Sequence, residues 1–145
     1  MKKNDLKISI VISDFYPELS ELLFENCINR LIENGINKKL ISNYKVSGAF
    51  EIPGVVSQIS KHHSPDAIIT LGVVIKGETP HFDFISGACA NSISLLTIQN
   101  DFPITFGVLT TNTYKQALKR AQEKGLGIAD TTLLSIDTYK KIKLK

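Results

Sequence analysis

The sequence predicts an α/β fold in which a four-stranded parallel sheet is flanked by helices. Three observations carry that expectation. Short β-branched or apolar runs alternate with longer stretches of helical periodicity along the chain. The run Ala67–Ile75 (AIITLGVVI) is apolar nearly throughout, as a central parallel strand covered on both faces should be. Proline, glycine and capping residues fall where the pattern changes period.

Each element follows in order. Leu6–Ile12 (LKISIVI) reads as the first strand. Pro17 suits the first turn of a helix, Leu19, Leu22, Leu23, Cys27 and Leu31 recur at helical spacing, and Gly35 suits its end. Leu40–Val46 is a weaker second strand. Phe50–Lys61 reads as a helix, because Pro53 is tolerated in a first turn. Ala67–Ile75 is the third strand. Phe82–Gln99 reads as a long helix with apolar residues around most of its girth, so it is either deeply buried or shared with another subunit. Ile104–Leu109 is the fourth strand, entered by Pro103. Thr113–Gln122 is a helix capped by Asn112 or Thr113, and a separate last helix runs from about Ile128 to Lys143. Right-handed crossovers between such strands give a flavodoxin-like three-layer sandwich.

The bulk properties narrow the function classes. A length of 145 residues fits one domain, taken as residues 1–145. The apolar share of 43% and charged share of 21% are those of an ordinary globular protein. The net charge of +3 is too small to argue for nucleic acid, and Lys140, Lys141, Lys143 and Lys145 account for more than that excess. Cys27 and Cys89 lack metal-site spacing and suggest a reducing compartment. No stretch approaches the ~20 apolar residues of a membrane helix, and the apolar run near Met1 is too short for a signal peptide. The expected location is the cytoplasm, with no membrane partner.

In a doubly wound sheet, ligands bind outside the carboxyl ends of the strands. That rule points at Ser13–Tyr16, Ser47–Glu51, Val74–His81 and Thr110–Thr113. Phe15 is either an aromatic packed over the sheet edge or a platform on which a heterocycle stacks. Glu51 is either a capping carboxylate or an acceptor for a polyhydroxy ligand. Lys76, Gly77, Glu78 and Thr79 precede a helix N-terminus, whose free N–H groups favour an anion. Of three histidines, His62 and His63 fall at a helix end beside Ser64-Pro65; only His81 falls in the expected crevice. It is either structural or a general acid/base near neutral pH. Arg120 is either a surface residue or a bidentate phosphate clamp.

Three motifs then agree in order and distance. SGAFEIPG, LGVVIKGETPHFDF and FGVLTTNTYKQALKRA, spread between Leu6 and Ala121, resemble the 6,7-dimethyl-8-ribityllumazine synthases of riboflavin synthesis. The resemblance implies a transferase that joins 5-amino-6-(D-ribitylamino)uracil to 3,4-dihydroxy-2-butanone 4-phosphate, with no metal or redox cofactor. It implies that Phe15 stacks on the pyrimidine, and that Ala49, Phe50 and Glu51 hold the ring and ribityl chain. Val73, Val74 and Ile75 would contact the pyrimidine, Glu78 and Thr79 the butanone phosphate, and His81 would transfer protons. Phe106 and Arg120 would reach the site from a neighbouring subunit. The family assembles as pentamers, which pair into decamers or build sixty-subunit shells; the sequence does not decide among these.

Some positions depart from the family pattern. AQEKGLGIAD stands where AGTKAGNKG is usual, so Lys124 matches the first lysine and Ile128 replaces the second. SGACANSIS replaces a more charged stretch in the long helix. Tyr16 stands where an asparagine often follows the stacking phenylalanine. Three rival readings fare worse. A flavin-binding flavodoxin would need a Ser/Thr/Gly-rich loop where SDFYPE stands. A receiver domain would need an acidic pair near Asp14 and an acid where Lys76 and Gly77 lie. The intact GAFEIP and GETPHF favour the synthase over the related riboflavin synthases that dismutate lumazine.

Overall fold

The computed structural model describes residues 2–144. Four strands, β1 (Ile8–Ser13), β2 (Ile41–Val46), β3 (Ala67–Ile75) and β4 (Ile104–Thr111), alternate with four helices, α1 (Pro17–Glu33), α2 (Ile52–His62), α3 (His81–Gln99) and α4 (Tyr114–Lys143). All strand pairs are parallel, in the order β2-β1-β3-β4. This is the expected α/β architecture.

Alternation along the strands divides the apolar side chains between two layers. Ile8, Ile10 and Ile12 of β1 and Ala67, Ile69 and Leu71 of β3 meet Leu23, Cys27 and Leu31 of α1 and Ala121, Ala129 and Ile136 of α4. Val11, Ile68, Ile104 and Val108 face the other way, onto Val56 and Ile59 of α2 and Cys89 and Ile93 of α3. β1 and β3 are thus covered on both faces, which is why β3 is a nearly continuous apolar run and why even Ser9 and Ser13 of β1 are buried. Thr70 and Thr105 are buried too, but their hydroxyls are used: Thr70 donates to the Thr105 carbonyl at 2.9 Å, and the Thr105 and Thr132 hydroxyls lie 2.7 Å apart.

Local signals end the elements as expected. Gly35 takes φ +96° after α1, and Ile36 N–H to Leu31 C=O with Gly35 N–H to Ile32 C=O completes a Schellman closure. Thr113 caps α4, its hydroxyl accepting from Gln116 N–H at 3.1 Å. The second helix is shorter than the expected Phe50–Lys61. Ala49–Glu51 form a 3₁₀ turn, and α2 starts at Ile52, keeping Pro53 in its first turn.

The largest difference lies after β4. The two helices expected over Thr113–Gln122 and Ile128–Lys143 are one helix of 30 residues. Gly125 and Gly127 lower intrinsic helix propensity by about 1 kcal/mol each, which breaks the pattern in the sequence. Packing overrides it. At Gly125 a Cβ would lie 2.6 Å from Asn26 Cβ and 2.9 Å from the Leu23 carbonyl oxygen, so α4 crosses α1 at a distance only glycine allows. Arg30 of α1 spans the same crossing to Asp130 of α4, with Nε to Oδ1 at 2.9 Å and Nη2 to Oδ2 at 3.3 Å.

The long third helix is not deeply buried. Only Cys89 and Ile93 are fully covered. Phe84 is 71% and Ile98 80% exposed, with Leu95 exposed beside them. Among the described residues no helix is long and apolar enough to cross a membrane.

Candidate active site

The carboxyl ends of β1, β2 and β3 open into one cavity of about 730 Å³, a size suited to small-molecule ligands. Each wall comes from a different element. Phe15 and Tyr16 follow β1, and Ser47, Gly48, Ala49, Phe50 and Glu51 follow β2. Val73, Val74 and Ile75 end β3, Gly77 and Thr79 lie in the next loop, and His81, Phe82 and Ile85 open α3. Backbone bonds hold the strand ends in register beyond the ladders: Asp14 N–H donates to Val46 C=O at 3.1 Å, and Lys76 N–H to Thr111 C=O at 2.8 Å.

The cavity joins flat apolar surfaces to a few polar groups. Phe15 is 68% exposed, and Phe50 is also exposed, so the reading of Phe15 as a ring packed over the sheet edge does not hold. Glu51 sits at the N-cap of α2 without a side-chain capping bond; its Oε1 accepts from the Ser47 hydroxyl at 3.2 Å. The carboxylate therefore remains available to the cavity rather than spent on the helix. His81 begins α3, and the Thr79 hydroxyl accepts from its backbone N–H at 3.4 Å. Pro80, at the N-cap, makes no side-chain capping bond. Asp83 N–H donates to Pro80 C=O at 3.0 Å, so among the described residues Phe82 N–H is the first-turn donor left for an anion, and Asp83 adds a carboxylate to that turn.

An aromatic chain borders the cavity. The rings of Phe15 and Tyr16 are 5.0 Å apart at 70°, and those of Tyr16 and Tyr114 are 6.5 Å apart at 70°. The Tyr114 hydroxyl donates to Glu18 Oε2 at 3.3 Å. At the end of β1, the Ser13 hydroxyl is buried with no hydrogen-bond partner among the described residues. It lies 2.5 Å from where a Cβ at Gly72 would be.

Nine of the twelve residues singled out in the sequence line this space: Phe15, Ala49, Phe50, Glu51, Val73, Val74, Ile75, Thr79 and His81. Glu78 is exposed in the loop but is not part of the lining. Phe106 and Arg120 are exposed elsewhere. Phe106 lines a second groove of about 370 Å³ along β4 and α4, shared with Lys124, Thr131 and Ser135. Ile128, in the place of the usual second lysine, is only 8% exposed and joins the core between sheet and α4. Tyr16, Phe82 and Ile85 were not expected. The signals were present: Tyr16 adjoins Phe15, and Phe82 and Ile85 share the first turns of the helix that carries His81. His62 and His63 are exposed at the end of α2, as expected.

The family model described as 6,7-dimethyl-8-ribityllumazine synthase matches residues 5–140. The chain belongs to the 6,7-dimethyl-8-ribityllumazine synthase family. Similar full-length relatives carry the same description. One from Chlorobium limicola is 33% identical, covering 97% of this chain and 94% of its own length. One from Pelodictyon phaeoclathratiforme is 34% identical over 98% and 94%, and one from Chlorobium phaeovibrioides is 36% identical over 94% and 90%. Membership of the lumazine synthase family makes the chain an enzyme, a transferase of riboflavin biosynthesis.

Proposed function

We propose that this cavity condenses 5-amino-6-(D-ribitylamino)uracil with 3,4-dihydroxy-2-butanone 4-phosphate, giving 6,7-dimethyl-8-ribityllumazine, phosphate and water. The observation that carries the reading is the convergence of Phe15, Glu51, Val73–Ile75, Thr79 and His81 on one space at the carboxyl ends of three strands.

Phe15 offers the stacking surface for the pyrimidine. Ala49, Phe50 and Glu51 hold the ring and the ribityl hydroxyls, with Glu51 as acceptor. Val73, Val74 and Ile75 line the ring edge. Glu78, Thr79 and the amide end of α3 receive the phosphate. The substrate amine attacks the ketone to form a carbinolamine, which loses water to an imine. Phosphate then leaves and the ring closes with loss of water. Each step moves a proton, and His81 at the mouth of α3 serves several in turn. Both reactants are intrinsically reactive, so holding them together supplies most of the rate.

Phe106 and Arg120 act on the site of a neighbouring subunit in this reading, Arg120 toward the phosphate. Their exposure away from the cavity supports that, as does the uncovered apolar face of α3. The assembly is a pentamer, alone or built into a decamer or shell. The test is direct: the purified chain is mixed with both substrates and the fluorescence of lumazine is followed. Failure to form lumazine, with conversion of supplied lumazine to riboflavin instead, would replace condensation with dismutation.

A further inference from the structure

We propose that Tyr16 is a positioning residue, its ring bracing Phe15 so that the surface on which the pyrimidine stacks is held ready before substrate arrives. The inference rests on the reading of Phe15 as the stacking surface. Phe15 stands on the short loop between β1 and α1 and is 68% exposed. An aromatic side chain so exposed is free to change rotamer, and ordering it on binding costs affinity. Tyr16 opposes that freedom. The two rings meet at 5.0 Å and 70°, inside the range of a favourable T-shaped pair. In either sense of such a pair, at least one face of Phe15 stays open to a ligand.

The brace is itself anchored. Tyr16 packs against the cluster of Leu19, Val73 and Ala117, which ties α1, β3 and α4 together. Tyr114, the first residue of α4, adds a second ring at 6.5 Å, and its hydroxyl is held by Glu18 of α1. The asparagine usual at this position in the family has no ring to offer; here the stacking residue is buttressed by two tyrosines in series.

Steady-state kinetics with both substrates on the full chain tests this. Tyr16→Leu keeps apolar packing on the cluster but removes the ring. It should raise KM for the pyrimidine by about three- to tenfold, the range expected for an aromatic pair. The value of kcat should stay within about twofold, and KM for the butanone phosphate should not move. Tyr16→Phe should restore the parent KM. In a Phe15→Leu background, adding Tyr16→Leu should have no further effect on that KM. The proposal is overturned if Tyr16→Leu leaves KM unchanged, if Tyr16→Phe is as impaired as Tyr16→Leu, or if the effect persists without Phe15. Tyr16→Met carries the same test should Tyr16→Leu fail to fold. An unaltered KM in Phe15→Leu alone removes the stacking reading, and the brace with it.

Discussion

His81 and Ser13 are polar residues in opposite surroundings, one lining the cavity and one confined by packing. His81 lines the cavity at the first residue of α3. If positioning supplies most of the rate, His81→Ala should lower kcat by about a hundredfold, the low end of what a positioned proton-transfer group contributes. Turnover should remain measurable above the uncatalysed reaction, and complete loss of turnover with substrate binding intact would sink that view. Ser13 tests the opposite case. Its hydroxyl is buried without a partner among the described residues and fills the space that a Cβ at Gly72 would need. An unpaired buried hydroxyl costs about 1–3 kcal/mol. Ser13→Ala should therefore raise the Tm, and a lowered Tm would show that the hydroxyl is satisfied in solution. The thiols add a pH dependence. Burial pushes Cys27 up to about 12 and Cys89 up to about 11. Their neutral forms are favoured in the fold, so the stability they contribute is complete below a free thiol's pKa. It falls as pH rises past about 9 toward those values, because the unfolded chain loses its thiol protons first. Urea unfolding from pH 8 to 10.5 should show that decline, and a Cys27→Ala/Cys89→Ala variant should show less of it.

At the scale of elements, glycines decide where helices approach and where they merely lose propensity. Gly125→Ala gains intrinsic helix stability but drives a Cβ into the backbone of α1. Overpacking costs about 1–3 kcal/mol, and with the would-be Cβ 2.9 Å from a backbone oxygen the upper part of that range applies, above the roughly 1 kcal/mol of propensity gained. Gly54 in α2 has no atom within 4 Å of its would-be Cβ. Gly54→Ala should stabilise slightly, by about 0.5 kcal/mol, and thermal melts of the two variants should move in opposite directions. The same contrast explains what the sequence conveyed. Ala67–Ile75 could be read to the residue because both faces of β3 are covered. The boundary of α1 was visible in Pro17 and Gly35. The local sequence of α4 reads as two helices because the contact that joins them, Gly125 against Asn26 and Leu23, spans about a hundred residues of sequence and leaves no local trace. The lining of the candidate cavity was legible where it follows the strand ends. Tyr16 escaped because its role depends on where its ring meets Phe15, and no spacing rule encodes that.

At the scale of the whole molecule, the proposed reaction asks for a site completed by a second chain. Phe106 and Arg120 lie away from the cavity that Phe15 and His81 line. Phe84, Leu95 and Ile98 leave an apolar face of α3 in water, a surface of the kind that marks an interface. Leu95→Asp/Ile98→Asp should therefore yield a folded chain of monomer mass by sedimentation, with helix content preserved and no lumazine formed. A monomer that retained turnover would overturn the shared site, and an intact oligomer would place the interface elsewhere.

The single long helix has one more consequence. Its centre, around Gly125 and Gly127, is where its own backbone preference is weakest and where α1 presses closest. Continuity there is borrowed from the neighbouring helix. Amide protons of residues 122–128 should therefore exchange with solvent only when α1 and α4 separate, not by fraying from either end. Whatever loosens that crossing would let α4 part into the two shorter helices that its local sequence favours, leaving a latent joint in an otherwise rigid rod.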